Sequence, residues 1–290
     1  MEWQGRQGSS NVENVGGGGG RGLAVGGGGV GCLGIVVAII YMLMGGDLSD
    51  ILGGGQPDQQ QTQQQTQTDE SGQSAPTERE QFASVVLKDT ETVWHKLFQE
   101  EGLTYEEPKM VLFSNGVNTG CGNASSSMGP FYCPADEKLY IDLTFMDELD
   151  QRFQAPGDFA MAYVIAHEVG HHVQNQLGTA SKVNRLRQQL SEKDYNKYSV
   201  AMELQADYYA GVYAHYEQEM GVTEEGDIEE AIKAAHAVGD DTLQEQSMGR
   251  VNTDTFTHGS SEQRMKWFKQ GYESGDIRGG NTFEALGLQL

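Results

Sequence analysis

The chain has 290 residues, with 42 Asp and Glu against 19 Lys and Arg, for a formal net charge of -23. Nucleic acids and anionic lipid headgroups are held by basic surfaces, so neither is expected as a partner of the folded part. The length allows one large domain or two small ones, but much of the first quarter is too poor in apolar side chains to form a core.

Residues 1–22 are glycine-rich, and residues 45–77 contain the tract GGGQPDQQQTQQQTQTDESGQSAP. Neither can bury enough apolar surface to offset the entropy of ordering, so both are expected to be disordered, the second as a linker. Between them, residues 23–44 (LAVGGGGVGCLGIVVAIIYMLM) carry no charge and meet the roughly 20 apolar residues that a transmembrane helix needs. No small-residue cleavage site comes after it, which favours an anchor over a removed signal peptide. Arg6 and Arg21 precede the stretch, whereas Asp47 and Asp50 lie beyond it. The positive-inside rule then places the N-terminus in the cytoplasm and the single folded domain, residues 78–290, outside the cell membrane.

Apolar positions at Phe82, Val85, Val86, Val93, Leu97 and Phe98 predict a helix from about Thr77 to Gln99, with His95 on its surface. A loop-rich segment comes next, containing Cys121 and Cys133, the pair left once Cys32 is assigned to the apolar stretch. A disulfide between them would close a loop of about a dozen residues, adding roughly 3 kcal/mol, and would persist only in an oxidising compartment. Two unrelated thiols are the alternative, and the spacing is too wide for a C-x-x-C redox pair. In EKLYIDLTF, residues 137–145, Leu139, Ile141 and Leu143 alternate with Tyr140, Asp142 and Thr144, predicting a strand with one buried face. Asp158 is the expected N-cap of the next helix and Gly178 its stop. Further helices are predicted from about Tyr198 to Met220 and from Asp227, with Glu230 completing a capping-box-like pair, to just before Gly239. The domain is therefore mainly helical with little strand.

The helix after Asp158 contains VIAHEVGHHVQNQLG, ionisable groups in an otherwise apolar run. At 100 degrees per residue Ala162, Ile165, Val169 and Val173 share one stripe, and His167 and His171 lie together on the opposite side, one turn apart. Buried imidazoles need partners, and one metal ion can serve both. Glu168 beside the first can reach water at such an ion without displacing it, the chemical content of H-E-x-x-H. A zinc site of this kind needs a third protein ligand and an open position. Downstream, VAMELQADYYAGVYAHY places Glu203 and Asp207 at i and i+4 in apolar, aromatic company. Glu203 can be the third ligand, and Asp207 can accept the second ring N–H of a ligating histidine. His172 is expected at the surface, His215 and His236 at the surface or in helix packing, and Asp240 or Asp241 as a cap in GDDTLQ.

HEVGHH, ELQADYYAG, FTHGSSEQRMKWFKQGYESGD and CGNASSSMGPFYCPADEKLYIDLTF together resemble the bacterial membrane-anchored neutral zinc metallopeptidases, from the apolar stretch to Asp276. The resemblance implies an α+β, mainly helical, gluzincin-like zincin domain with a small sheet. It also implies one zinc ion held by His167, His171 and Glu203, and a polypeptide substrate. More distantly, the order of motifs resembles the heat-shock and CAAX-processing membrane endopeptidases, although Gly259 follows His258 where those carry proline. In the expected reaction zinc lowers the pKa of its water toward about 7 and Glu168 is the general base. His258, or a tyrosine such as Tyr208 or Tyr209, would stabilise the oxyanion. Arg264 is expected to fix the His258 loop, meet a carboxylate, or form a structural salt bridge. The strand at 139–145 could bind extended peptide at its edge. Two other readings are a zinc-binding but catalytically silent tethered adaptor and a metal-free interaction module.

Overall fold

The computed structural model describes residues 1–15 and 75–290. The apolar stretch 23–44 and nearly all of the expected linker lie outside the described residues, among which no helix is long and apolar enough to cross a membrane.

Helix α1, Glu78–Glu100, opens with a capping box in which Thr77 and Glu80 satisfy each other's backbone N–H groups. It buries Phe82, Val86, Val93, Trp94, Leu97 and Phe98 in the main core. The segment expected to be loop-rich instead holds four strands: β2 Lys109–Phe113, β3 Gly116–Thr119, β4 Gly122–Ser125 and β5 Phe131–Cys133. The run MVLF in β2 does not alternate because both its faces are buried, as in a parallel strand inside a sheet. β3 and β4 form a separate antiparallel hairpin, and a disulfide joins Cys121 at its tip to Cys133 in β5.

Strand β6, Lys138–Asp142, corrects the expectation of a half-buried strand with a free edge. It lies between β2 and β5, and Leu139, Tyr140, Ile141 and Asp142 are all buried. Tyr140 is covered by stacking on Phe131, and Asp142 accepts hydrogen bonds from Ser126 and Thr144. The free edge of the sheet on this side is β5.

The other edge is formed by the beginning of the chain. Residues 1–15, within the segment expected to be disordered, include β1, Val12–Val15, which pairs in parallel with β2. Trp3 packs edge-on against Phe82, Arg6 forms a two-point ion pair with Asp89, and Ser9 and Asn11 both donate to Glu91. Averaging composition across the glycine run after Val15 hides the preceding residues, whose apolar and polar side chains are enough to dock. Their partners Asp89 and Glu91 look like surface residues in sequence, yet are buried.

After α2, Phe145–Gln151, come α3, Asp158–Gln176; α4, Thr179–Leu186; α5, Glu192–Glu219; α6, Asp227–Ala237; α7, Asp240–Met248; α8, Ser261–Ser274; and α9, Thr282–Ala285. The architecture is α+β: a helical body with a small mixed sheet against it. α5 and α8 meet backbone to backbone at Gly211 and Gly271, where a Cβ would lie 2.0 Å from Phe268 O and Tyr208 O respectively. Any larger residue would push α8 away from α5. Two expected caps differ. Gly157, not Asp158, caps α3, while Asp158 pairs with the Met1 ammonium at 2.8 Å. Gly226 caps α6, and Glu230 reaches across to accept the Phe159 N–H at 3.1 Å.

Candidate metal centre

The centre is made by α3 and α5 crossing at close range. Gly170, one residue before His171, lets α5 approach until a Cβ there would sit 3.1 Å from the Ala206 backbone. This contact brings Glu203 opposite both histidines. His167 Nε2 is 3.2 Å from Glu203 Oε2, His171 Nε2 is 3.5 Å from Glu203 Oε1, and the candidate ligand atoms of the three residues lie within 4.8 Å of one another. Around a tetrahedral zinc ion with bonds of about 2.0–2.1 Å, neighbouring ligand atoms stand roughly 3.3 Å apart. The observed N···O separations fit that spacing.

Each imidazole is fixed at its other nitrogen. His167 Nδ1 is 2.8 Å from Asp207 Oδ1, and His171 Nδ1 is 2.9 Å from Gln174 Oε1, whose own amide donates to Met202 O. Both acceptors demand Nδ1–H, which leaves the two Nε2 atoms to face Glu203. Asp207 is fully buried and takes three further hydrogen bonds: from the Tyr163 hydroxyl at 2.6 Å, Arg264 Nε at 2.8 Å and Arg264 Nη2 at 2.9 Å. Arg264 is thereby held in a buried salt bridge, one of the roles expected for it.

The electrostatics favour a cation. Burial alone would lower the His167 pKa, but Asp207 and Glu203 outweigh it and raise it to about 9. His171 is likewise raised against burial by Glu203. Burial opposes ionisation of Glu203, yet His171, His258 and His167 hold its carboxyl well below the usual range. Such a field retains protons on the imidazoles or a divalent ion between them, and binding the ion releases the protons. Among the described residues a second acidic cluster, Asp158, Asp227 and Glu230, has metal-like spacing. There the Met1 ammonium already meets Asp158 and Asp227 at 2.8 and 3.2 Å.

Glu168 and His258 line the same cleft of about 1240 Å³ as the three candidate ligands. Burial raises the Glu168 pKa, which makes this carboxylate a better proton acceptor. His258 Nδ1 is 3.1 Å from Asp240 Oδ1, while Asp240 Oδ2 accepts the backbone N–H groups of Thr257, His258 and Gly259 at 2.7, 2.7 and 3.0 Å. Asp240 thus clamps the loop that carries His258, a role sequence reasoning missed when it assigned this acid to a cap. Its only signal was the doubled Asp after Gly239. Burial lowers and Asp240 and Glu203 raise the His258 pKa, with a net increase.

Other expected residues fall outside the centre. The Tyr208 hydroxyl is engaged by Ser274 and the Asp276 carbonyl, and Tyr209 is buried against Trp94, so neither reaches the cleft. His172 is buried, not surface: its Nε2 meets Glu106 O at 2.7 Å and its Nδ1 the Tyr132 hydroxyl at 3.0 Å, tying α3 to β5. His215 packs against α8 through the Tyr272 carbonyl, and His95 and His236 are exposed.

A family described as "Putative neutral zinc metallopeptidase" matches residues 1–283. The uncharacterized protein YpfJ of Escherichia coli is 47% identical over 289 residues, covering 98% of this chain and 99% of its own length. An uncharacterized protein of Mycobacterium tuberculosis is 46% identical over 195 residues, covering 63% of this chain and 65% of that one. No solved structure matches. The chain belongs to this zinc metallopeptidase family.

Proposed function

We propose that the chain is a zinc-dependent peptidase that hydrolyses peptide bonds in polypeptides, with His167, His171 and Glu203 as the metal ligands and Glu168 as the general base. The observation that carries this reading is the convergence of two Nε2 atoms and one carboxylate within 4.8 Å, with the Glu168 carboxyl in the same cleft. Zinc held there would act as a Lewis acid toward the scissile carbonyl and acidify water at the open position. Glu168 takes a proton from the attacking water and returns it to the leaving amine. The His258 Nε2–H donates to the oxygen on which charge develops, with its ring aimed by Asp240. Extended substrate adds to the free edge of β5, whose Phe131 and Tyr132 line the cleft. The apolar stretch 23–44 attaches the chain to a membrane.

Zinc stoichiometry and mixed-peptide cleavage, measured on wild type, Glu168→Gln and Glu203→Ala, test the reading. One zinc in wild type and Glu168→Gln, much less in Glu203→Ala, and cleavage by wild type alone are expected. Wild type without zinc refutes it, and zinc without cleavage makes the centre structural.

A further inference from the structure

The first fifteen residues and the metal-bearing domain share one sheet, while the apolar stretch lies between them in sequence. The parallel ladder runs in register from Val12↔Met110 to Val15↔Phe113, and the Met110 N–H extends it to Asn11 O at 2.8 Å. Further along the arm, Ser9 N–H donates to Ser84 O at 2.9 Å and Glu2 N–H to Val222 O at 2.8 Å. Its charges are matched to the surface beneath. Arg6 meets Asp89 at 2.9 and 2.5 Å, and Glu13 receives Lys109 and Lys138 at 2.8 and 2.7 Å. Removing the arm would take from Asp89 its guanidinium partner and from Glu91 its Ser9 and Asn11 donors, contacts that hold the arm in place.

A single membrane crossing by residues 23–44 would put the arm before it and the domain after it on opposite faces. A strand cannot pair across a bilayer, so such a crossing and the β1–β2 ladder exclude each other. We propose that residues 1–15 and residues 75–290 lie on the same face of the membrane.

Impermeant-maleimide labelling of the full chain tests this. In a Cys32→Ser background, which leaves the Cys121–Cys133 disulfide intact, a single cysteine is placed at exposed Gln7 or at exposed Gln270. Both are labelled in spheroplasts and both protected in inverted vesicles, or the reverse for both, if the arm and domain share a face. Labelling of one with protection of the other in the same preparation overturns the proposal. Recovery of the full chain wholly in the soluble fraction overturns it as well, since the arm and domain would then have no membrane face to share. None of these readouts involves zinc or cleavage, so they stand or fall apart from the peptidase reading.

Discussion

Replacing Asp207 by Asn is the substitution most revealing of how the centre is built. The aspartate takes His167 Nδ1, the Tyr163 hydroxyl and Arg264 Nη2 on Oδ1 and Arg264 Nε on Oδ2, all without solvent. Asparagine has one acceptor oxygen, and its amide N–H must face either Arg264 Nε or the Oδ1 cluster, donor against donor. The guanidinium, with 5% of its side chain exposed, is left buried without a counter-charge, which costs about 3–5 kcal/mol of apoprotein stability. Loss of the carboxylate behind His167 separately weakens zinc binding by about 10–100-fold. Urea unfolding of the apoprotein reads the first effect and chelator competition the second. Adding Arg264→Met to Asp207→Asn removes the stranded charge, so stability returns while zinc affinity does not. If the single variant binds zinc and unfolds like wild type, Asp207 neither orients His167 nor neutralises Arg264, and the reasoning fails.

Three further outcomes are expected. Asp240→Ala, which releases the 257–259 backbone and the His258 ring, should lower kcat by about 10²–10³-fold with zinc content unchanged; an unaltered kcat excludes His258 from oxyanion stabilisation. Cys121→Ser, opening the link between the β3–β4 hairpin and β5, should cost roughly 3 kcal/mol in urea unfolding and raise KM, since β5 lines the cleft. Burial, and then the nearby Asp89 charge, push the Glu217 carboxyl up to about 8 from its ordinary 4.5, so the folded state prefers the neutral acid. Its contribution is complete below about pH 4.5 and is lost as pH rises toward 8. The wild-type urea midpoint should therefore drop relative to Glu217→Gln between those values, and parallel pH profiles would refute the assignment.

Much of the centre was legible because it is written at helical spacing. His167 and His171 share a face at i and i+4, as do Glu203 and Asp207, and Gly170 fits the close approach of the second helix. α1, α3, α5 and α6 were placed within a few residues, apart from an earlier start of α5 at Glu192 under its Ser191 cap. The sheet was less legible. β2 is a continuous apolar run without alternation, β3 and β4 are short and polar, and β6 alternates like a half-buried strand although both its faces are buried, because Phe131 and Ser126 cover Tyr140 and Asp142. His172 looked exposed because its partners, Tyr132 and Glu106, belong to segments about 40 and 66 residues distant.

The candidate donors, the carboxylate beside them and the spacing of each half on its helix can be read from local pattern alone, since 3.6-residue periodicity is a local property of the backbone. Packing between distant segments is what brings Glu203 to both histidines, lets Asp240 hold the His258 loop, leaves β5 at the edge of the sheet and adds the first fifteen residues to its other side. Each of these depends on which surfaces pack together, a balance of burial, charge pairing and backbone approach between distant segments that no local pattern encodes.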